Sequence, residues 1–237
     1  MPGSGSEDRE RTLRLLGGFE MRIGPDRRPL TYTAQRIVAL LGTHDTPLPR
    51  RFVAFTLWLD KDENRALANL RSLLWRLGDE LAGLVEADVH QIGLDNRISV
   101  DFLLARRDAL DVLEGRSLGL VHPYLSDLLP GWYEDWVITE RESLRLLHLH
   151  ALERQAERCM DRKNYGESVN CSMAATAIDP LRESAHRMMI QALMAQGNAA
   201  DAVRVYDSYR DRLHNELGLE PSSSIADLLW SEHRVAL

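Results

Sequence analysis

Along the first hundred residues the spacing of apolar positions changes period twice. Leu13, Leu15 and Leu16, then Phe19, Met21 and Ile23, alternate with polar residues on either side of Gly17-Gly18, and Gly24-Pro25-Asp26 closes the second stretch with turn-forming residues. This alternation predicts two short strands. Thr33, a capping residue, then precedes Ile37, Leu40 and Leu41 at helical spacing, which predicts a first helix. Phe52, Phe55, Leu57, Trp58 and Leu59 supply the apolar positions of a second helix starting near Pro49, since proline is tolerated in a first turn. Asp60, Asp62 and Glu63 suit the positive end of a third helix, which runs from Asn64 to Leu77 without proline or glycine. Its apolar side collects Ala66, Leu70, Leu73, Leu74 and Leu77; Arg65, Ala68, Ser72 and Trp75 lie opposite, flanked by Asn69, Arg71 and Arg76. Residues 84–87 and 90–94 around Asp88-Val89 predict a hairpin, and Ile98-Ser99-Val100 one more strand.

Beyond Phe102 the pattern is almost wholly helical. Pro123, Pro130 and Gly131 interrupt it before Trp132-Tyr133-Glu134-Asp135-Trp136, and Val137 to Lys163 then runs without a breaker. An offset of 34 residues pairs Ala151 with Ala185, Met160 with Met194, Asn164 with Asn198 and Val169 with Val203. Each copy reads as helix, short turn, helix, and Ile178-Asp179-Pro180 ends the first as tetratricopeptide repeats often end. Two such repeats are predicted, with Pro221 introducing one further helix.

The predicted fold is therefore mainly α with small β elements: residues 1–12 a loose tail, 13–105 a winged helix with an added N-terminal sheet, and 106–237 an all-α tetratricopeptide-like domain. At 237 residues, 44% hydrophobic and 27% charged, the chain has the composition of a folded protein. Its net charge of -7 is unevenly spread: residues 1–105 hold 14 basic and 15 acidic side chains, leaving 15 and 21 beyond. Against that acidity, the stretch between Asn64 and Gly78 holds three arginines and no carboxylate. Only Lys61 and Lys163 are lysines, so nearly every cation is a guanidinium able to grip a phosphate or a guanine edge with two bonds. Two cysteines, a start without a basic flank before an apolar stretch, and no run long and apolar enough to span a bilayer give a cytoplasmic expectation without membrane insertion.

No nucleotide-binding, zinc-protease or nucleophile-elbow motif is present, so no catalytic residue, metal or cofactor is expected and the chain reads as a non-enzyme. His148 and His150 point to different sides of a helix, and Cys159 and Cys171 lack a paired ligand spacing. A third helix that follows two others and precedes a hairpin has the order of helix-turn-helix relatives, in which such a helix enters the major groove and arginine and asparagine read guanine and adenine. Arg50 and Arg51, opening the second helix, are expected on phosphates.

Three stretches carry a family resemblance: Leu15-Leu16-Gly17-Gly18-Phe19-Glu20, Arg65 through Leu77, and Leu129-Pro130-Gly131-Trp132-Tyr133-Glu134-Asp135-Trp136 with Glu140-Arg141. With the ending Glu216-Leu217-Gly218-Leu219-Glu220-Pro221-Ser222, they resemble the Streptomyces antibiotic regulatory proteins, in order and over residues 13–235. The resemblance implies a response-regulator-type winged helix joined to a bacterial transcriptional activator domain. It also implies binding to direct repeats in promoter DNA, two protomers side by side, recruitment of RNA polymerase holoenzyme, and control of a biosynthetic gene cluster. Carried over by position, the DNA-facing residues are Arg65, Asn69, Arg71, Ser72, Trp75 and Arg76, and the wing is Val85 to Leu94 with His90 and Gln91 at its tip. Where relatives often continue with arginines, Gly78-Asp79-Glu80 shortens the cationic reach. The rival is an interaction adaptor that uses its repeats and binds no DNA. Exposure or occlusion of the arginine face of the third helix separates the two.

Overall fold

The computed structural model describes residues 10–119 and 126–230. They form two compact units: residues 10–107 with 126–143, and residues 108–119 with 144–230.

The first unit holds, in chain order, β1 (Arg11–Arg14), β2 (Glu20–Ile23), β3 (Asp26–Arg27), α1 (Tyr32–Gly42), β4 (Leu48–Pro49), α2 (Arg50–Leu57), α3 (Glu63–Arg76), α4 (Gly78–Leu81), β5 (Val85–Ala87), β6 (Gln91–Leu94) and β7 (Ile98–Val100). The division between units then falls inside α5 (Asp101–Glu114). One sheet has the order β3-β2-β1-β7, with β1 and β2 antiparallel at Leu13↔Met21 and β7 parallel to β1 at Leu13↔Val100. The other, β4-β6-β5, is the hairpin with a short third strand. α1 lies close to β1, because a Cβ on Gly42 would come 2.8 Å from a Leu13 methyl carbon. Leu13, Leu15, Met21, Ile37, Leu40, Leu70 and Ile92 are almost fully buried in this unit. The Asp101 carboxylate ties α5 to the first hairpin, accepting from the amides of Leu15 (2.8 Å), Leu16 (3.1 Å) and Phe102 (2.7 Å). Burial raises that carboxyl above its ordinary range, against the pull of the amides.

Three details differ from the sequence expectations. Residues 1–9 of the expected tail lie outside the described residues, and β1 starts at Arg11, inside the stretch assigned to it. Arg11 is held because its guanidinium donates to Gly83 O (2.6 Å) and to the buried Asp95 carboxylate (3.0 Å). In α2 the buried residues are Val53, Ala54 and Leu57, while Phe52, Phe55 and Leu59 are exposed. A helix this short buries one narrow stripe, and the aromatics fall outside it.

The third difference concerns residues 126–143, which the sequence grouped with everything beyond 105. They cluster with the first unit. Gly17 N donates to Asp127 O (2.8 Å) and Leu129 N to Leu15 O (2.9 Å), forming an isolated antiparallel bridge between Leu16 and Leu128. The Trp132 ring stacks on Phe19 and lies tilted against Tyr32, the Arg36 guanidinium pairs with Glu134, and Leu128, Leu129 and Val137 are buried. Arg141 donates to the carbonyls of Leu128 (2.9 Å), Leu129 (2.9 Å) and Trp132 (3.2 Å), fixing the loop to its own helix. Pro123 lies outside the described residues.

The second unit takes the rest of α6 (Asp135–Asp161), then α7 (Tyr165–Ile178), α8 (Glu183–Ala195), α9 (Ala199–Leu217) and α10 (Ser223–Trp230). The 34-residue offset is visible in the backbone. Lys163 (φ 60) and Gly197 (φ 80) both turn left-handed, and the next amides close the same turn, Asn164 N to Cys159 O (2.8 Å) and Asn198 N to Leu193 O (2.9 Å). Ala109, Ala151, Ala174, Ala175 and Ala185 fill one core where helices approach closely; Met189, Ile190, Tyr209, Leu213 and Ile225 fill the other. After Gly218 ends α9 in the left-handed region, Ser222 N donates to Glu183 (3.1 Å) and α10 begins.

Candidate nucleic-acid interface

α3 starts where the Asp62 side chain accepts from Arg65 N (3.0 Å), and it buries Ala66, Leu70 and Leu73. That stripe turns the opposite side to solvent. Arg65, Arg71, Ser72 and Arg76 are exposed, Trp75 is 88% exposed, and Asn69 is half-buried at the margin. An indole left in water costs apolar contact that the adjacent leucines gain, so nothing in the fold of this unit uses the Trp75 ring.

The charges on this surface are sorted by their partners. Glu63 pairs with Arg51, and Asp62 caps the helix 4.0 Å from the Arg65 guanidinium. Arg71 and Arg76 make no ion pair with any described residue. The outer face of α3 therefore carries cations and an aromatic ring, with its carboxylates gathered at the N-terminus, where the helix dipole favours them. Of the acidic residues after α3, Glu80 has its carboxylate engaged by Thr31. Glu80 accepts from Thr31 Oγ1 (3.1 Å) and the Thr31 amide, and Arg28 donates to the carbonyls of Glu80 (2.7 Å) and Ala82 (3.2 Å).

Arg50 and Arg51 sit at the start of α2, yet both guanidinium groups are engaged. Arg50 donates from Nη1 to Asp88 O (2.7 Å) and from its amide to His90 O (2.9 Å), tying α2 to the hairpin tip, while Arg51 faces Glu63. The hairpin β5–β6 matches the expected wing, with His90 and Gln91 exposed at its turn. Its organiser, Asp88, was not singled out from the sequence. The Asp88 carboxylate accepts from His90 N (2.6 Å) and Gln91 N (2.7 Å), and these amides hold its carboxyl below the ordinary range. An Asp two and three residues before the amides it closes is an Asx-turn pattern, so the signal was present in the sequence.

Among the described residues no group of three His, Cys, Asp or Glu side chains could hold a metal ion, and no helix is long and apolar enough to cross a membrane. Residues 101–229 match the bacterial transcriptional activator domain family. The chain belongs to that family. It is similar to the regulatory protein AfsR of Streptomyces coelicolor, with 29% identity over 197 residues covering 73% of this chain and 19% of AfsR. It is likewise similar to AfsR of Streptomyces griseus, with 27% identity over 187 residues covering 72% of this chain and 19% of that protein. The chain thus spans about a fifth of the length of these relatives. Among solved structures, Mycobacterium tuberculosis EmbR, in complex with a low-affinity phosphopeptide, superposes with a TM-score of 0.69 at 19% identity, covering 96% of this chain and 66% of EmbR. That likeness is one of fold: a winged helix followed by tetratricopeptide-like helices. The matched family is one of transcriptional activator domains, a regulatory family and not a class of enzymes.

Proposed function

We propose that residues 13–105, completed by 126–143, bind double-stranded promoter DNA, and that the remaining helices act by protein contact. α3 enters the major groove with Asn69 and Arg71 on base edges, and Arg65, Ser72, Trp75 and Arg76 on sugar and phosphate beside them. His90 and Gln91 at the wing follow the backbone. Two protomers occupy a direct repeat side by side and recruit RNA polymerase holoenzyme to a biosynthetic gene cluster, acting at the nucleoid without a cofactor. The observation that carries this reading is the solvent-exposed face of α3, where Arg71 and Arg76 have no ion-pair partner among the described residues and Trp75 stands in solvent. An adaptor without DNA binding calls for that face to be occluded by Trp132 or Trp136, whereas Trp132 stacks on Phe19.

Affinity for the promoter next to its own gene, measured at two salt concentrations, tests the proposal. The Asn69→Ala, Arg71→Ala double variant should lose specificity at one or two positions, each base-edge contact being worth roughly 1 to 3 kcal/mol. Unchanged operator affinity in that variant would refute the assignment of α3.

A further inference from the structure

The second unit holds an open groove of about 560 Å³ between α7 and α9, with α8 contributing to its lining. Its size lies within the roughly 300 to 1,000 Å³ of small-molecule sites. Val169, Met173, Met189, Leu193 and Val205 give it an apolar lining, and Met173 stands half in solvent. Methionines suit a site that must fit an irregular apolar body, because their side chains are unbranched and polarizable.

Most polar groups around this lining have partners, and the buried Nδ1 of His186 has none among the described residues. Asp201 and Arg204 pair with each other one turn apart on α9. Tyr209 donates its hydroxyl to Glu183 (3.3 Å), and burial together with that carboxylate pushes the phenol up to about 12, so it is neutral. His186 stacks on the Tyr209 ring at 4.3 Å. Its Nε2 lies 3.0 Å from Pro180 O, a group that can only accept, so Nε2 carries the proton. Burial lowers this imidazole below its ordinary range, against the pull of the Pro180 carbonyl, and leaves it uncharged near neutral pH. Arg212 is exposed at the groove, and no described carboxylate pairs with it. Among the described residues the groove thus presents an apolar trough with an uncompensated cation, in the half of the chain whose net charge is negative by 15 basic against 21 acidic residues.

We propose that this groove is a binding site for a small amphiphilic carboxylic acid, its apolar body along Met173, Met189 and Val205 and its carboxylate on Arg212. A neutral apolar ligand would gain the same burial without the ion pair. A cationic one would meet Arg212 unfavourably, so charge complementarity selects the acid. The groove belongs to the second unit and α3 to the first, so each reading has its own test.

Octanoate and 1-octanol are the probes, titrated into the full chain carrying ¹³C-methyl methionine. Met173 and Met189 report on the groove, and Met21, buried in the first unit, is the internal reference. Octanoate should move the Met173 and Met189 signals saturably and leave Met21 in place, and it should bind more tightly than the alcohol. Arg212→Gln changes an exposed side chain and should weaken octanoate about twofold to fivefold, leaving 1-octanol unaltered. Ser208→Trp, also at an exposed position, fills the groove and should abolish both responses. Equal affinity of acid and alcohol, an Arg212→Gln variant that binds octanoate as well as the parent, or shifts spread equally to Met21 would each overturn the proposal.

Discussion

Leu129 is the anchor by which residues 126–143 are held in the first unit, and its replacement has a calculable cost. The side chain is 0% exposed and its backbone sits at φ 44, a left-handed conformation that costs a branched residue about 1 to 2 kcal/mol. The strain is retained because the amide donates to Leu15 O and the carbonyl accepts from Arg141, both at 2.9 Å. Leu129→Ala removes the buried methyl groups and keeps the strain, for a loss of about 3 kcal/mol. Leu129→Gly also loses the buried Cβ, about 0.8 kcal/mol, and adds roughly 0.4 to 1 kcal/mol of unfolded-chain entropy, but it relieves the backbone strain. The two variants should therefore lie within about 0.5 kcal/mol of each other, whereas without the left-handed backbone glycine would be the worse by more than about 1 kcal/mol. Trp58, Trp75, Trp132 and Trp136 all belong to the first unit, so tryptophan fluorescence during urea unfolding reports mainly on it. An alanine variant within about 1 kcal/mol of the parent, or a glycine variant more than about 1 kcal/mol below alanine, would refute the reasoning.

A fragment of residues 1–105 lacks Leu128, Leu129, Trp132 and Glu134, and should show weakly cooperative unfolding; a sharp two-state transition equal to that of the full chain would contradict this. Asp95 is 2% exposed and its carboxyl is held down at about 2, from 3.8, by its hydrogen bonds from Arg97 and by the charges of Arg97 and Arg11. Because the folded value lies below the unfolded one, this stabilisation, about 2 kcal/mol, is complete above pH ~4 and is lost as pH falls through ~2. Asp95→Asn should remove it at neutral pH and flatten the acid limb of a stability profile, and a limb of unaltered steepness would sink the account. For DNA, Arg76→Ala should reduce the slope of log affinity against log salt by about 1, as the loss of one phosphate contact, while Arg71→Ala should relax specificity at one position. Arg50→Ala, whose guanidinium is spent on Asp88 O, should instead loosen the wing and alter the slope by less; a larger change from Arg50 would reverse the assignment.

The α3 stripe, the hairpin around Asp88-Val89 and the 34-residue repeat were legible from residue spacing alone, because each depends on neighbours within one or two turns of chain. Local periodicity determines which side of such a helix turns inward, and so it identified the exposed arginines of α3. It could not say which cations were already occupied. Arg50 and Arg51 look as free as Arg71 in the sequence, and only the folded chain brings Asp88 and Glu63 to them. The same limit explains residues 126–143. Trp132 and Glu134 meet Phe19 and Arg36 across about a hundred positions, so composition along the chain grouped them with the helices that follow. Pairings between distant residues carry no local period; what the sequence determines is the face each element offers, and tertiary packing decides which faces remain for a partner.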